Sequence, residues 1–306
     1  MKGEDSVNSR KLIKGYIFVI LSAVLYGLMP LMTTHIKADG ANAYSLVFLR
    51  NALSLPALAA LALWQQKTLK VPLKELPTIA LAALFGCCIT PVLLYCSYDF
   101  IDSGTATVFH FVYPALVVLG GILFLKQKPA VGTLVSVLVC IVGIALFFDP
   151  NATVTPEGSI LALASGLTFS VYVLMLSAFP NRKATGFVFT FYVALVCTIA
   201  MGIYCAATNN LALPGSAWGW LLCALFALAI NAVATVLFQQ GTFLVGGQRA
   251  SILSTMEPIT GVVVGATLLG EFVGKSAGSI ARTVIGSVLV VAATVMIALF
   301  DSKKKS

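Results

Sequence analysis

The chain has 306 residues, of which 59% are hydrophobic and only 10% are charged, and its mean hydropathy is +0.99. Soluble domains are about 45 to 50% apolar and about 25% charged, so this composition excludes an ordinary soluble enzyme or binding domain. The formal net charge of +8 does not indicate nucleic-acid binding, because the basic residues collect on one side of the topology predicted below.

The apolar residues are grouped in ten segments of about 20 residues, the length that a helix needs to cross about 30 Å of hydrocarbon. The predicted fold class is therefore an all-α integral membrane protein with ten transmembrane helices. The connections are too short to form a soluble domain. In chain order the predicted spans are 15–35, 43–64, 77–100, 105–125, 131–148, 158–179, 185–206, 217–243, 249–269 and 279–300.

Charge sets the predicted orientation of these spans. If the N-terminus is cytoplasmic, most lysines and arginines fall on the inside, and only Lys37, Lys275 and Arg282 fall on the outside. By the positive-inside rule, we expect a multi-pass protein of the cytoplasmic (inner) membrane with both termini in the cytoplasm.

The two halves of the chain show weak internal similarity. GYIFVILSAVLYG, from Gly15, aligns with GSILALASGLTFS, from Gly158. The stretch that contains Pro114 likewise aligns with the stretch that contains Pro258. Five helices per half is an odd number, so the second half is predicted to be inverted, as in many secondary transporters. We predict repeats at 14–148 and 158–300.

A longer motif carries a family resemblance. QQGTFLVGGQRASILSTMEPITGVVVGATLLGE (239–271) resembles the end of the repeat in EamA-type members of the drug/metabolite transporter superfamily. SAVLYG (22–27) and SLVFLRN (45–51) resemble the first two helices of that repeat. The resemblance extends from about 14 to 300 and implies a ten-helix transporter, commonly an exporter of amino acids or other small metabolites. The first half departs from the pattern, with Tyr113 before its proline.

Glu257 is the main candidate for function, because an ionisable group inside a span costs about 2.5 to 3.5 kcal/mol on insertion scales. One hypothesis is that Glu257 gains and loses a proton during transport. The alternative is a protonated acid that only stabilises the helix kink at Pro258. Pro114 and Pro258 lack an amide hydrogen, so the carbonyls of His110 and Ser254 are predicted to lose their helical partners. With Tyr113 beside one break and Glu257 beside the other, we predict a polar site near the membrane midplane.

Other residues in the spans have two interpretations each. His110 is either a pH-responsive ligand or a hydrogen-bonded packing residue. Arg50 is expected to reach the outer surface or to pair with Asp99 or Asp102, rather than to bind substrate. The remaining candidates either line the pathway or pack between helices: Asn231, Gln239, Tyr26, Phe169 and Tyr172.

Arg50 is the only lysine or arginine deep inside a predicted span, since Arg249 and Arg282 lie near the ends of theirs, whereas phosphate groups need several fixed cationic donors. The predicted partner is therefore a small neutral, zwitterionic or cationic metabolite, in contact with membrane lipid and without nucleic acid. No cofactor, metal site or enzyme motif is predicted. The overall interpretation is a secondary transporter that works by alternating access. A lipid flippase or an uptake carrier of the same fold stays open, as does the oligomeric state, including a homodimer.

Overall fold

The computed structural model describes residues 2–146, 148, 154–178, 184, 186–268 and 276–303. Regular structure is helical throughout these residues, with no strand among them. Eight helical stretches are long and apolar enough to cross a membrane, and Val131–Ala145 is a shorter apolar helix. The chain is therefore an all-helical, multi-pass membrane protein, while the count of ten spans stays a prediction.

The first half of the chain forms eight α-helices. A π-helical segment, Ala83–Ile89, joins the fourth to the fifth without a break, and a 3₁₀ turn, Leu73–Glu75, precedes the fourth. The helices are α1 (Lys2–Tyr26), α2 (Met29–Ala38), α3 (Ala43–Gln66), α4 (Leu76–Ala82), α5 (Thr90–Ser97), α6 (Ser103–His110), α7 (Tyr113–Leu123) and α8 (Val131–Ala145).

The second half forms seven α-helices and contains a second π-helical segment, Ala227–Ala234, between the third and the fourth of them. The helices are α9 (Pro156–Ala178), α10 (Gly186–Thr208), α11 (Ala217–Phe226), α12 (Thr235–Val245), α13 (Gly247–Leu253), α14 (Met256–Leu268) and α15 (Ala277–Lys303). Four positions of the predicted spans lie outside the described residues: 147, 179, 185 and 269.

Proline explains the interrupted helices. Pro30, Pro114 and Pro258 each lie within the first three residues of a helix that follows a break. A proline in that position loses no helical hydrogen bond of its own, but it cannot continue the helix before it. The chain therefore turns between α1 and α2, between α6 and α7, and between α13 and α14.

The breaks differ from the sequence prediction in one respect. The carbonyl of Ser254 is not left bare, because the amide of Glu257 donates to it at 3.0 Å. The chain tightens into a turn there, so an amide three residues on replaces the one that Pro258 lacks. The carbonyl of His110 lies against α9, where a Cβ added to Gly166 would be 2.5 Å from the carbonyl oxygen.

Helices from the two halves pack against each other throughout the core. α3 packs on α10, α1 packs on α12 and α14, and α9 packs on α5 and α7. At one end of the bundle, Lys37 Nζ and Asp99 Oδ1 form an ion pair at 2.7 Å. At the same end, the amide of Ser216 donates to Asp39 at 3.0 Å. Loops from both halves are thus held together around the central helices.

Candidate functional site

A cavity of about 50 Å³ lies between the two halves of the sequence. At about 10 to 15 Å³ for each water molecule, this volume holds about three to five waters. The first half contributes Tyr26, Arg50, Thr90 and His110 to its walls. The second half contributes Phe169, Tyr172, Thr235 and Glu257.

Glu257 reaches the cavity from the first turn of α14, directly after the break at Ser254–Thr255. The free amides of a helix N-terminus favour a negative charge there, which accounts for an acid at this point of an apolar segment. No described residue donates a hydrogen bond to its carboxylate. The Glu257 carboxylate is therefore available to a ligand or a proton that enters the cavity.

Arg50 lies in the same cavity, and the expectation that it reaches the outer surface is wrong. Arg50 is only 5% exposed, and its Nη1 donates to the Tyr95 hydroxyl at 2.7 Å. The guanidinium carbon lies 5.9 Å from the ring centroid of Tyr95 and 6.0 Å from that of Phe226, which is a cation–π arrangement. Asp99 pairs with Lys37 instead.

The aromatic and hydroxyl contacts of Arg50 use only part of its donor capacity, since a guanidinium has five N–H donors. The Nε–H is buried without a hydrogen-bond partner among the described residues. Arg50 and Glu257 form no ion pair with each other, because the one salt bridge among the described residues is Lys37–Asp99. A basic and an acidic side chain thus line one small cavity without forming an ion pair with each other.

Two threonines attach the π-helical segments to the opposite half of the chain. The Thr90 hydroxyl donates to the Phe85 carbonyl at 2.6 Å and contacts the Thr168 hydroxyl at 2.7 Å. The Thr235 hydroxyl donates to the carbonyl five residues earlier at 3.1 Å and contacts the Tyr26 hydroxyl at 2.8 Å. Both residues lie where a π-helical segment passes into an α-helix at the cavity wall. π-Helical segments are frequent at functional sites.

His110 occupies the aromatic side of the cavity. It is 6% exposed, and its Nδ1 lies 2.8 Å from the Ser165 hydroxyl. Its ring centroid lies 5.3 Å from that of Tyr113 and 5.5 Å from that of Phe169. Phe169 and Tyr172 also contact each other, with centroids 5.6 Å apart. His110 is therefore a hydrogen-bonded residue of the core that also faces the cavity.

Four of the sequence candidates lie outside the cavity walls. Tyr113 is buried beneath Phe169, with ring centroids 4.8 Å apart. The hydroxyl of Ser254, directly after α13, donates back to the Ala250 carbonyl of that helix at 2.8 Å. The other two form hydrogen bonds between helices, as described next.

Asn231 and Gln239 connect different elements in the core. The Asn231 amide donates to Asn51 at 3.1 Å and to Ser54 at 2.8 Å, which ties the second π-helical segment to α3. Gln239 donates to the Tyr172 hydroxyl at 3.0 Å and accepts from Thr190 at 2.5 Å. Each satisfies its polar groups through neighbouring helices, which is the interhelical role that the sequence analysis left open.

Sequence reasoning missed several residues of the cavity wall. Thr90, Thr235 and Cys87 are small and only weakly polar, so they give no signal in a scan for ionisable groups. Met29 and Leu94 are indistinguishable by type from lipid-facing residues. A comparison of the two halves could have found the threonines, because each lies inside the third predicted span of its half, 77–100 or 217–243.

The chain matches the model of the EamA-like transporter family over residues 13–149 and 156–299. An uncharacterized transporter of Clostridium kluyveri is 23% identical over 305 residues, covering 96% of this chain and 95% of that protein. The uncharacterized inner membrane transporter YicL of Salmonella typhimurium is 24% identical over 214 residues, 67% of each chain. An uncharacterized transporter of Archaeoglobus fulgidus is 30% identical over 162 residues, 53% of this chain and 54% of that protein.

One crystal structure shares the fold, with a TM-score of 0.69 over 95% of this chain and 99% of that one, at 18% sequence identity. The family match covers nearly the whole chain. The chain belongs to the EamA-like transporter family, within the drug/metabolite transporter superfamily.

Proposed function

We propose that the protein is a secondary active transporter that exports small metabolites such as amino acids across the cytoplasmic membrane. The observation that carries this proposal is the cavity between the two halves, where a basic side chain, Arg50, and an acidic one, Glu257, form no ion pair with each other. A buried charge without a partner is unfavourable. A ligand with both charges would supply a partner for each residue at once.

The substrate class follows from this arrangement. A substrate carboxylate accepts hydrogen bonds from the Arg50 guanidinium, which suits carboxylates because of its planar fork of donors. A substrate ammonium group pairs with the Glu257 carboxylate. A zwitterion therefore fits better than a phosphorylated compound, for which a single cationic side chain offers too few donors.

Proton coupling follows from competition at Glu257. A proton and a substrate ammonium group cannot both neutralise the same carboxylate. In the exchange that we propose, the substrate leaves toward the outside, a proton takes its place on Glu257, and the proton is released toward the cytoplasm before the next substrate binds. Efflux is thus driven by proton entry.

Alternating access requires two halves that exchange roles. Features that recur at corresponding places in the two halves support a fold of ten helices in two inverted five-helix repeats. The π-helical segments Ala83–Ile89 and Ala227–Ala234 occupy corresponding places in the two halves, as do the breaks before Pro114 and Pro258. Helix contacts correspond as well, since α1 packs on α12 and α14 as α9 packs on α5 and α7.

A paired comparison tests the proposal. Cells that express the wild type or Glu257→Gln, with equal amounts in the membrane, are compared for metabolites in the medium. We expect an amino acid or related zwitterion to accumulate only with the wild type. Glu157→Gln, an exposed acid at the start of α9, is the control and should export normally.

Uptake of the identified compound into vesicles then tests the coupling. The wild type should respond to an imposed pH gradient, and Glu257→Gln should not. Equal, pH-dependent transport by both proteins would refute the role of Glu257. Transport of lipid alone, or accumulation inside the cells, would instead support a flippase or an uptake carrier.

A further inference from the structure

Three buried cysteines lie where the first π-helical segment contacts α10: Cys87, Cys88 and Cys197. The Sγ atoms of Cys88 and Cys197 are 2.7 Å apart, and Cys197 also donates to the Ala83 carbonyl at 3.4 Å. Cys87 lines the cavity. All seven cysteines of the chain are free thiols. The transport cycle proposed above uses none of them.

We propose that Cys88 and Cys197 form an oxidation site, at which a hydroperoxide joins the two halves of the transporter by a reversible disulfide bond. The two sulfur atoms must approach each other by only about 0.65 Å to reach the S–S length of about 2.05 Å. Each lies on a different half of the chain, Cys88 on the π-helical segment and Cys197 on α10.

The cavity gives the oxidant a route to the pair. Its volume of about 50 Å³ admits several water molecules, and hydrogen peroxide has only one more heavy atom than water. Cys87, the neighbour of Cys88 in the chain, forms part of the cavity wall. An oxidant that enters in place of water therefore comes within one residue of Cys88, although neither Cys88 nor Cys197 lines the cavity itself.

The reaction balances with hydrogen peroxide as the oxidant. One thiol, as its thiolate, attacks peroxide: a sulfur–oxygen bond forms, the oxygen–oxygen bond breaks, and the leaving hydroxide takes up the thiol proton as water. The second thiol then attacks the sulfenic sulfur, and a second water leaves. The two sulfurs lose two electrons in total, and the peroxide is reduced to two water molecules.

The disulfide would stop transport, a consequence that rests on the proposed function. In alternating access, packed groups of helices move relative to each other. A covalent bond between the π-helical segment of one half and α10 of the other holds them in one arrangement. Reduction by a dithiol frees them again, because thiol–disulfide exchange reverses the bond.

The full-length protein in proteoliposomes provides the test, with hydrogen peroxide as the probe. We expect mass spectrometry without reduction to find one dominant linked peptide that joins Cys88 to Cys197. Transport should fall at least about tenfold in parallel and recover with dithiothreitol. Cys88→Ala and Cys197→Ala should transport normally and resist peroxide. Cys205→Ala, which removes another buried thiol of α10, should remain as sensitive as the wild type.

The readouts separate the two proposals. If peroxide yields no Cys88–Cys197 peptide, or links other cysteines equally well, the oxidation site is refuted. If the peptide forms but transport continues unchanged, the arrest is refuted. If the reduced protein transports no metabolite at all, the proposed function fails, and the linked peptide alone then decides whether the oxidation site exists.

Discussion

Arg50 shows how a single charged residue can be buried in a membrane protein at acceptable cost. The side chain is surrounded by Tyr95 and Phe226, whose ring faces attract a cation, and the Tyr95 hydroxyl accepts one of its hydrogen bonds. These contacts stabilise the charge without a carboxylate partner. In the proposed function, the remaining donors bind the substrate, which a permanent ion pair would prevent.

Removing the Arg50 charge should weaken substrate binding, and not only the stability of the fold. We expect Arg50→Ala to raise the KM for a carboxylate-bearing substrate by about 10- to 100-fold, the equivalent of one hydrogen bond to a charged group. Transport kinetics in proteoliposomes measure the change. Lys37→Ala removes the cation of the ion pair at the end of the bundle and should leave KM nearly unchanged. Equal effects of both substitutions would contradict a binding role for Arg50.

Position 86 requires a glycine because the ring of Tyr172 packs directly on it. A Cβ at Gly86 would lie 2.5 Å from the ring of Tyr172. We expect Gly86→Ala to lower the free energy of unfolding by about 1 to 3 kcal/mol, the usual cost of overpacking. Gly104, on α6, has nothing within 4 Å of its Cβ position. Gly104→Ala should therefore be neutral or slightly stabilising. Unfolding in detergent micelles compares the two, and similar losses would contradict this account of Gly86.

At this scale the sequence predicts some site residues and not others. Glu257 is conspicuous because an acid in an apolar span is rare, and the structure places it at the cavity. Arg50 is just as visible in the sequence, but its depth and partners depend on Tyr95 and Phe226 from other helices. Local sequence therefore shows which residues are costly to bury, whereas tertiary packing decides which of them meet.

The π-helical segments are the elements that distinguish this bundle from a set of regular helices. Each adds about one residue to a helical turn beside the cavity. A threonine hydroxyl at its end donates a hydrogen bond to the carbonyl five residues earlier. The hydroxyls of Thr90 and Thr235 also reach the opposite half. The same residues therefore shape the cavity wall and link the two halves of the chain.

Replacing Thr235 by valine tests this link. The change removes the hydrogen bond with Tyr26, and double-mutant cycles of membrane proteins give about 0.6 kcal/mol for such bonds, with a maximum of about 1.7. We expect a stability loss in that range for Thr235→Val, and no further loss when Tyr26→Phe is added. Thr198→Val, which removes a hydroxyl bonded only within α10, is the control. Additive losses from the Tyr26 and Thr235 substitutions would show that the pair is not coupled.

Hydropathy predicts where the helices lie but not these irregular turns. The second π-helical segment, ALAINAVA, contains neither glycine nor proline, so nothing in its composition separates it from an α-helix. Its buried Asn231 gives only an indirect signal. The breaks at Pro114 and Pro258 are predictable, because proline has a fixed effect on the backbone. The sequence thus predicts helix breaks that follow from the shape of proline. It does not predict a π-helical turn, because that turn depends on contacts with neighbouring helices.

For the whole molecule, two pairs of connections that are predicted to share a side of the membrane are in contact. Asp39 and Ser216 meet at one end of the bundle, and both lie in connections predicted to be outside. At a different place in the bundle, the amide of Ala184 donates to Glu75 at 3.0 Å, and both lie in connections predicted to be cytoplasmic. These contacts support the proposed topology, in which each half contributes connections to both sides.

Reporter fusions test that topology directly. We expect alkaline phosphatase to be active when it is fused after Asn151, in the predicted outer connection between the halves. Green fluorescent protein should fluoresce when it is fused after Lys305, at the predicted cytoplasmic C-terminus. The reciprocal fusions are the controls and should be inactive. Phosphatase activity at both positions would exclude an odd number of spans in the second half.

The size of the cavity also limits the affinity of the transporter for the proposed substrate. A space for about three to five water molecules is too small for an amino acid, so binding requires a wider conformation. If that conformation is a minor fraction of the molecules, the apparent Kd exceeds the intrinsic Kd by the reciprocal of that fraction. A substitution that favours the wider conformation would then tighten binding without touching the substrate, and would slow release into the medium.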